Sequence, residues 1–158
     1  ALYFLTLKPE KAEEAIFIAG LTDIDESVQA FAAFGLYQLG DTTALEILKT
    51  LAGQKVDAHV SAIQAAGLLG RLGFPEGFAT IEATSKSELE YVQLFGINNA
   101  FYFYPLHGKA ITPHSNIDIW QYYRDVLSVG DGNIRGVAMV QLKEIGTKPA
   151  QAIIEEQK

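Results

Sequence analysis

Apolar residues recur along the chain at intervals of three and four, and few segments show the strict alternation of a half-buried strand. That period predicts helices almost throughout. Four segments, 28–40, 61–73, 92–104 and 134–146, align without gaps. Their fifth position is Ala32, Ala65, Gly96 and Ala138, and their ninth is Leu36, Leu69, Ala100 and Leu142. The twelfth is Leu39, Leu72, Phe103 and Ile145, and the thirteenth is Gly40, Gly73, Tyr104 and Gly146. Positions one, five, nine and twelve share one helical face. A small residue at the fifth admits a neighbouring helix, and the closing glycine is the preferred left-handed helix terminator. Where Tyr104 replaces that glycine, Pro105 follows and ends the helix by another route.

Gly40 and Gly73 are 33 residues apart, Gly73 and Tyr104 31, and Tyr104 and Gly146 42. Each interval accommodates a second helix, predicted over 42–51, 76–84 and 117–129, with a last one over 149–157. Thr42 and Thr43, Pro75, and Ser115 or Asn116 are the expected openings. Five glycines fall inside predicted helices: Gly35, Gly67, Gly70, Gly96 and Gly136. Each costs about 1 kcal/mol relative to alanine in a helix, which close helix packing would offset.

The runs Ala32-Ala33-x-x-Leu36-x-x-Leu39-Gly40-Asp41, Ala65-Ala66-x-x-Leu69-x-x-Leu72-Gly73 and Ile134-Arg135-x-x-Ala138-x-x-x-Leu142-x-x-Ile145-Gly146 resemble HEAT repeats. The likeness implies one all-α domain over 1–158, an α-α superhelix of about four helix pairs. It also implies a non-catalytic docking role, in which the second helices present a surface to another protein or to a neighbouring domain of the same polypeptide. The third repeat departs from the pattern, with Asn98-Asn99 inside its helix and no terminal glycine. A weaker likeness runs from Val28-Gln29-x-x-Ala32-Ala33-x-Gly35-Leu36 through Tyr91-Val92-Gln93-Leu94-x-x-x-Asn98-x-Ala100. It is similar to the helical extensions that follow the catalytic domain in some bacterial sulfatases. Their Cys/Ser-x-Pro-x-Arg motif is absent, so that likeness implies an accessory region only. A HEAT-like scaffold of a pigment lyase is a third implication, resting on the repeat alone.

Charge and composition narrow the chemistry. The formal net charge of -7 sets the chain against phosphate backbones and anionic lipid surfaces. The run Leu2-Tyr3-Phe4-Leu5 is far short of the roughly 20 apolar residues of a membrane span. No cysteine is present, which removes disulfides, thiolate metal sites and thiol nucleophiles. The first residue is Ala1, and a processed chain or a fragment is expected. The compartment stays open, a bacterial periplasmic or extracellular setting being favoured over the cytoplasm.

The three histidines, His59, His107 and His114, lack the spacing of convergent metal ligands. The carboxylate group Asp23, Asp25 and Glu26 precedes a helix, where it complements the N-terminal dipole. Gly130-Asp131-Gly132-Asn133 lacks the ligand run of a calcium loop and the lysine of a phosphate loop. It reads as the cap of a helix beginning near Ile134. No catalytic residue, metal or cofactor is therefore expected.

One aromatic cluster stands out. The long third interval places its extra residues in 105–116, with His107 and His114, beside a helix carrying Trp120, Tyr122, Tyr123 and Arg124. Taking Ile117, Trp120 and Leu127 as the buried stripe, because tryptophan buries most area, leaves Tyr122 and Val126 facing outward. The sequence thus predicts a partner-binding surface over 105–126, formed by Tyr122, Val126, Arg124, His107 and His114.

Overall fold

The computed structural model describes residues 2–103 and 117–158. These residues form ten α-helices and no strand. The helices are α1 (Leu2–Leu5), α2 (Glu14–Gly20), α3 (Glu26–Gln38), α4 (Ala44–Ala52) and α5 (Val60–Arg71), followed by α6 (Phe78–Thr84), α7 (Glu90–Ala100), α8 (Ile119–Val129), α9 (Gly132–Ile145) and α10 (Lys148–Glu155). The four aligned segments are α3, α5, α7 and α9, and the four intervening predictions are α4, α6, α8 and α10. Ahead of these four pairs lies a shorter fifth, α1 with α2.

The odd-numbered helices form one layer, α3 packing on α1 and α5, and α7 on α5 and α9. In the second layer, α4, α6 and α8 each pack against the odd-numbered helices before and after them. The repeat columns explain this stacking. Ala32, Ala65 and Ala138 are fully buried and Gly96 is buried with them. Gly40, Gly73 and Gly146 adopt positive φ angles of 102°, 87° and 63°, ending α3, α5 and α9 in the left-handed region that disfavours other residues.

Four of the five internal glycines mark close approaches. A Cβ on Gly35 would lie 2.5 Å from the ring of Phe17, and one on Gly70 2.9 Å from Phe103. On Gly67 it would run into the side chain of Asn99, and on Gly96 into that of Thr84. The Gly67 approach explains Asn99 inside α7: its side chain leans over α5 and donates to the carbonyl of Phe95 at 2.9 Å. Gly136 is the exception. It faces solvent on α9, where an added Cβ would meet nothing within 4 Å, so the close packing expected there is absent.

The caps differ from expectation in detail. Thr43 stands at the N-cap of α4 as expected, but the bonding side chain is that of Asp41, whose Oδ1 accepts from the backbone N–H and the hydroxyl of Thr43 at 2.9 and 2.6 Å. Pro75 opens a single 3-10 turn, Pro75–Gly77, before α6. Asp118 caps α8 by accepting from the Gln121 N–H at 2.9 Å, while Ser115 and Asn116 lie outside the described residues. Asp131 caps α9 through the Ile134 N–H at 2.9 Å, as the turn at 130–133 implied.

On α8 the expectation holds for Leu127, which is buried, and fails for Tyr122 and Val126, which were expected to face outward. Tyr122 and Val126 are each only 1% exposed, whereas Trp120 and Ile117 are partly buried at the margin. The buried set Ile119, Tyr122, Tyr123, Val126 and Leu127 follows i, i+3, i+4, i+7, i+8, one broad face. That face meets α6 through the ring of Phe78, 6.1 Å from the Tyr122 ring. It meets α9 through Gln141, whose Oε1 accepts from the Tyr123 hydroxyl at 2.8 Å.

Candidate interaction groove

The second layer carries a surface groove of about 860 Å³ between α4 and α6. Its apolar lining includes Ala52, Val56 and Leu69 with Ala79 and Ala83. The groove follows from residue size. On α4, Ala44, Leu48, Leu51 and Ala52 turn inward at helical spacing. On α6, Phe78 and Ile81 turn inward, leaving Ala79 and Ala83, one turn apart, on the open side. Two methyl groups do not fill the space that longer side chains would.

Hydrogen bonds fix the groove's base. The Thr80 hydroxyl donates to the carbonyl of Ala52 at 2.6 Å, tying α6 to the end of α4. Ser87 donates to Asp57 at 2.5 Å and accepts from the Leu89 N–H at 3.1 Å, joining the two loops at that end.

The rim is ionic but locally balanced, with Lys49, Lys55 and Lys86 against Asp57, Glu76 and Glu82. Lys49 lies 3.3 Å from Glu46 and 3.9 Å from Glu76. Lys55 and Lys86 have no ion-pair partner among the described residues. Against a chain of net charge -7, the groove is one place where an approaching polypeptide meets no excess of negative charge.

Beside the groove, Gln54 joins a polar cluster that fastens α3 to α5. Its Nε2 donates to Glu26 Oε1 at 3.1 Å. Glu26 Oε2 accepts from the Ser61 hydroxyl at 2.6 Å and lies 3.1 Å from His59 Nδ1. Ser61 donates straight to the carboxylate and not to the imidazole, so the three side chains do not form a nucleophile relay. Hydrogen bonds from Ser61 and Gln54, with His59 beside them, hold the Glu26 carboxyl below the ordinary glutamate range. A carboxylate lowered in the folded state stabilises fully above its unfolded value, and the contribution is lost as pH falls through the folded value. Glu26→Gln is therefore expected to lower the melting temperature near neutral pH and to approach wild type in acid. Thermal melts of both proteins across the acid range check this, and a difference that persists unchanged in acid would assign it to something other than the charge.

Of the residues predicted for partner binding, the three that are described do not form an exposed patch. Tyr122 and Val126 are buried, as described above. Arg124 makes a two-pronged pair with Glu156, the residue that closes α10, with Nε to Oε2 and Nη2 to Oε1 both at 3.0 Å. That pair fastens α10 onto α8, and Glu156 is held below the ordinary range by it. His107 and His114 lie outside the described residues. Among the described residues, no group of three or more histidine or carboxylate side chains is placed to hold a metal ion. No helix among them is long and apolar enough to cross a membrane. The groove was missed because its signal is an absence of bulk: alanines at i and i+4 on an exposed helix face, flanked by charge.

Residues 28–54, which span α4 and all but the first turn of α3, match a family model described as PBS lyase HEAT-like repeat. Comparisons with curated proteins and with solved structures return no match. The likeness to sulfatase extensions finds no support in these comparisons.

Proposed function

We propose that the chain, whose residues 28–54 match a HEAT-like repeat, is a non-catalytic docking module that receives another protein, or a neighbouring domain of the same polypeptide, in the groove between α4 and α6. The observation that carries this reading is the groove itself: about 860 Å³, apolar at the alanine faces and charged at the rim. Binding surfaces of this kind combine a desolvated centre with a polar margin. The base is held by the Thr80–Ala52 bond between α6 and α4 and by the Ser87–Asp57 bond between the loops, so the receiving surface is formed before a partner arrives, which limits the ordering that binding requires.

Filling the groove tests the reading. Ala79 and Ala83 are exposed, so tryptophan at either position occupies the groove without entering the core. Ala83→Trp is expected to leave the melting temperature unchanged and to weaken partner binding about tenfold or more, on the order of 1.4 kcal/mol. The comparison is affinity capture by wild type and variant, followed by titration of whatever the wild type retains. A partner held equally by both proteins would place docking elsewhere.

The description of the matched repeat carries a second reading, a HEAT-like scaffold of a pigment lyase. It predicts a covalent, visible-absorbing adduct when the chain is expressed with a chromophore and its acceptor protein, on whichever chain takes the pigment. Without cysteine, this chain offers no thiol for a thioether link, so the acceptor protein would carry it.

A further inference from the structure

Gly136 lies inside α9, faces solvent and has nothing within 4 Å of the place its Cβ would take. A glycine there costs the helix about 1 kcal/mol relative to alanine, and no neighbour in the fold offsets it. Gly132 stands one turn earlier and is equally open. With Val137 and Val140 these glycines line a hollow of about 540 Å³ on the first layer, which Asn98 reaches from α7.

The polar side chains of the hollow are carboxamides. Asn98 and Asn133 are exposed, and neither side chain closes the hollow by bonding across it. Gln141 differs in being only 8% exposed. Its Oε1 is taken by the Tyr123 hydroxyl at 2.8 Å, but its Nε2 donates to nothing among the described residues and is not sealed from solvent. Because Gln141 lines the hollow, that amide opens there. A side chain so nearly buried ordinarily has its donors matched, so this one leaves a hydrogen bond unmade.

We propose that the hollow between α7 and α9 binds the main chain of an extended, uncharged peptide segment of a partner protein. The lining selects that ligand. No described residue that lines it is charged, so it offers no cation to a phosphate or carboxylate and no anion to an amine. None is aromatic, so a sugar or a base finds no flat ring to stack on. What remains is the carboxamide, which carries donor and acceptor side by side and matches the N–H and C=O of a peptide backbone. A helical segment bonds those groups to itself, whereas an extended one leaves them free. The two glycines let a backbone come down onto α9 where side chains would hold it off. From Gly132 to Val140 the helix rises about 12 Å, the length of about four extended residues. The surface lies on the opposite layer from the α4–α6 groove and is independent of whatever fills it.

A displayed library of random peptides of about eight residues, twice that span, is the probe. Peptides retained by the wild-type chain are expected to be lost by Gly136→Phe, whose ring fills the hollow from an exposed position, with the fold checked by circular dichroism. Asn98→Ala, also at an exposed position, is expected to weaken the same peptides about fivefold, the scale of one hydrogen bond. It keeps the test available should Gly136→Phe fail to fold. Methylating the backbone nitrogens of a retained peptide one at a time leaves its side chains unchanged, and loss of binding at one or more positions is expected. A library that yields no peptide held by the wild type and lost or weakened by these variants overturns the proposal. Binding that survives methylation at every position, or that depends on a charged side chain, overturns it too and assigns the contact to side-chain recognition.

Discussion

Tyr122→Ala is expected to lower the free energy of unfolding by about 3–5 kcal/mol, the scale of removing a buried aromatic ring from a packed core. The ring stands edge-on to Phe78 and Tyr123, at centroid distances of 6.1 and 6.0 Å, where α6 meets α8. Its hydroxyl lies 3.2 Å from Thr84 Oγ1. Thr84 donates its one hydroxyl proton to the Ile81 carbonyl at 2.6 Å, so the Tyr122 hydroxyl is the donor of the longer bond. Tyr122→Phe keeps the ring and loses only that bond, an expected cost of about 1 kcal/mol. Trp120→Ala is expected to cost less than Tyr122→Ala, because Trp120 is only partly buried. Urea unfolding followed by circular dichroism measures all three. A Trp120 variant weaker than the Tyr122 variant would mean that α8 is turned to its other face. Burial also pushes the Tyr122 phenol up, so the group stays neutral across the ordinary pH range and the ordering of the three variants does not depend on pH.

The buried face of α8, which takes in Tyr122 and Val126 together with the expected Leu127, shows where sequence reasoning ran short. Periodicity established that the segment is helical, but two stripes were available, and residue size was used to choose between them. The outcome rests on spacing instead: Ile119, Tyr122, Tyr123, Val126 and Leu127 make one wide face contacted from both α6 and α9. The repeat columns were legible for the opposite reason. A small residue at 32, 65, 96 and 138 and glycine at 40, 73 and 146 answer local demands, close approach and a left-handed terminator, that few residues satisfy. The leading pair α1–α2 went unread because only its last turn resembles the repeat, Leu2-Tyr3-x-Leu5 echoing Leu36-Tyr37-x-Leu39. The Glu26 cluster joins residues 28 to 35 positions apart in sequence, so no local pattern announces it.

Gly96→Ala and Gly35→Ala are expected to destabilise the protein, while Gly136→Ala is expected to stabilise it. The substitution is chemically the same in each, and the helix propensity gained is about 1 kcal/mol at every site. What differs is the neighbour. At Gly96 the new methyl runs into Thr84, fully buried and bonded through its hydroxyl to Ile81 and Tyr122, so it cannot turn aside without breaking those bonds. At Gly35 it presses on the ring of Phe17, which is fully buried between α2 and α3. Overpacking of this kind costs about 1–3 kcal/mol, enough to outweigh the gain in propensity. The net expectation at both sites is a loss of up to about 2 kcal/mol, with Gly35 and Gly96 acting at separate interfaces and so adding when combined. At Gly136 nothing lies within 4 Å, and the propensity term stands alone. Thermal or urea unfolding of the three single variants and the Gly35–Gly96 double variant measures the signs directly. Stabilisation at all three positions would show that the helices of α2–α3 and α6–α7 do not approach as closely as the glycines allow, and the explanation of those two glycines as packing residues would fall with it.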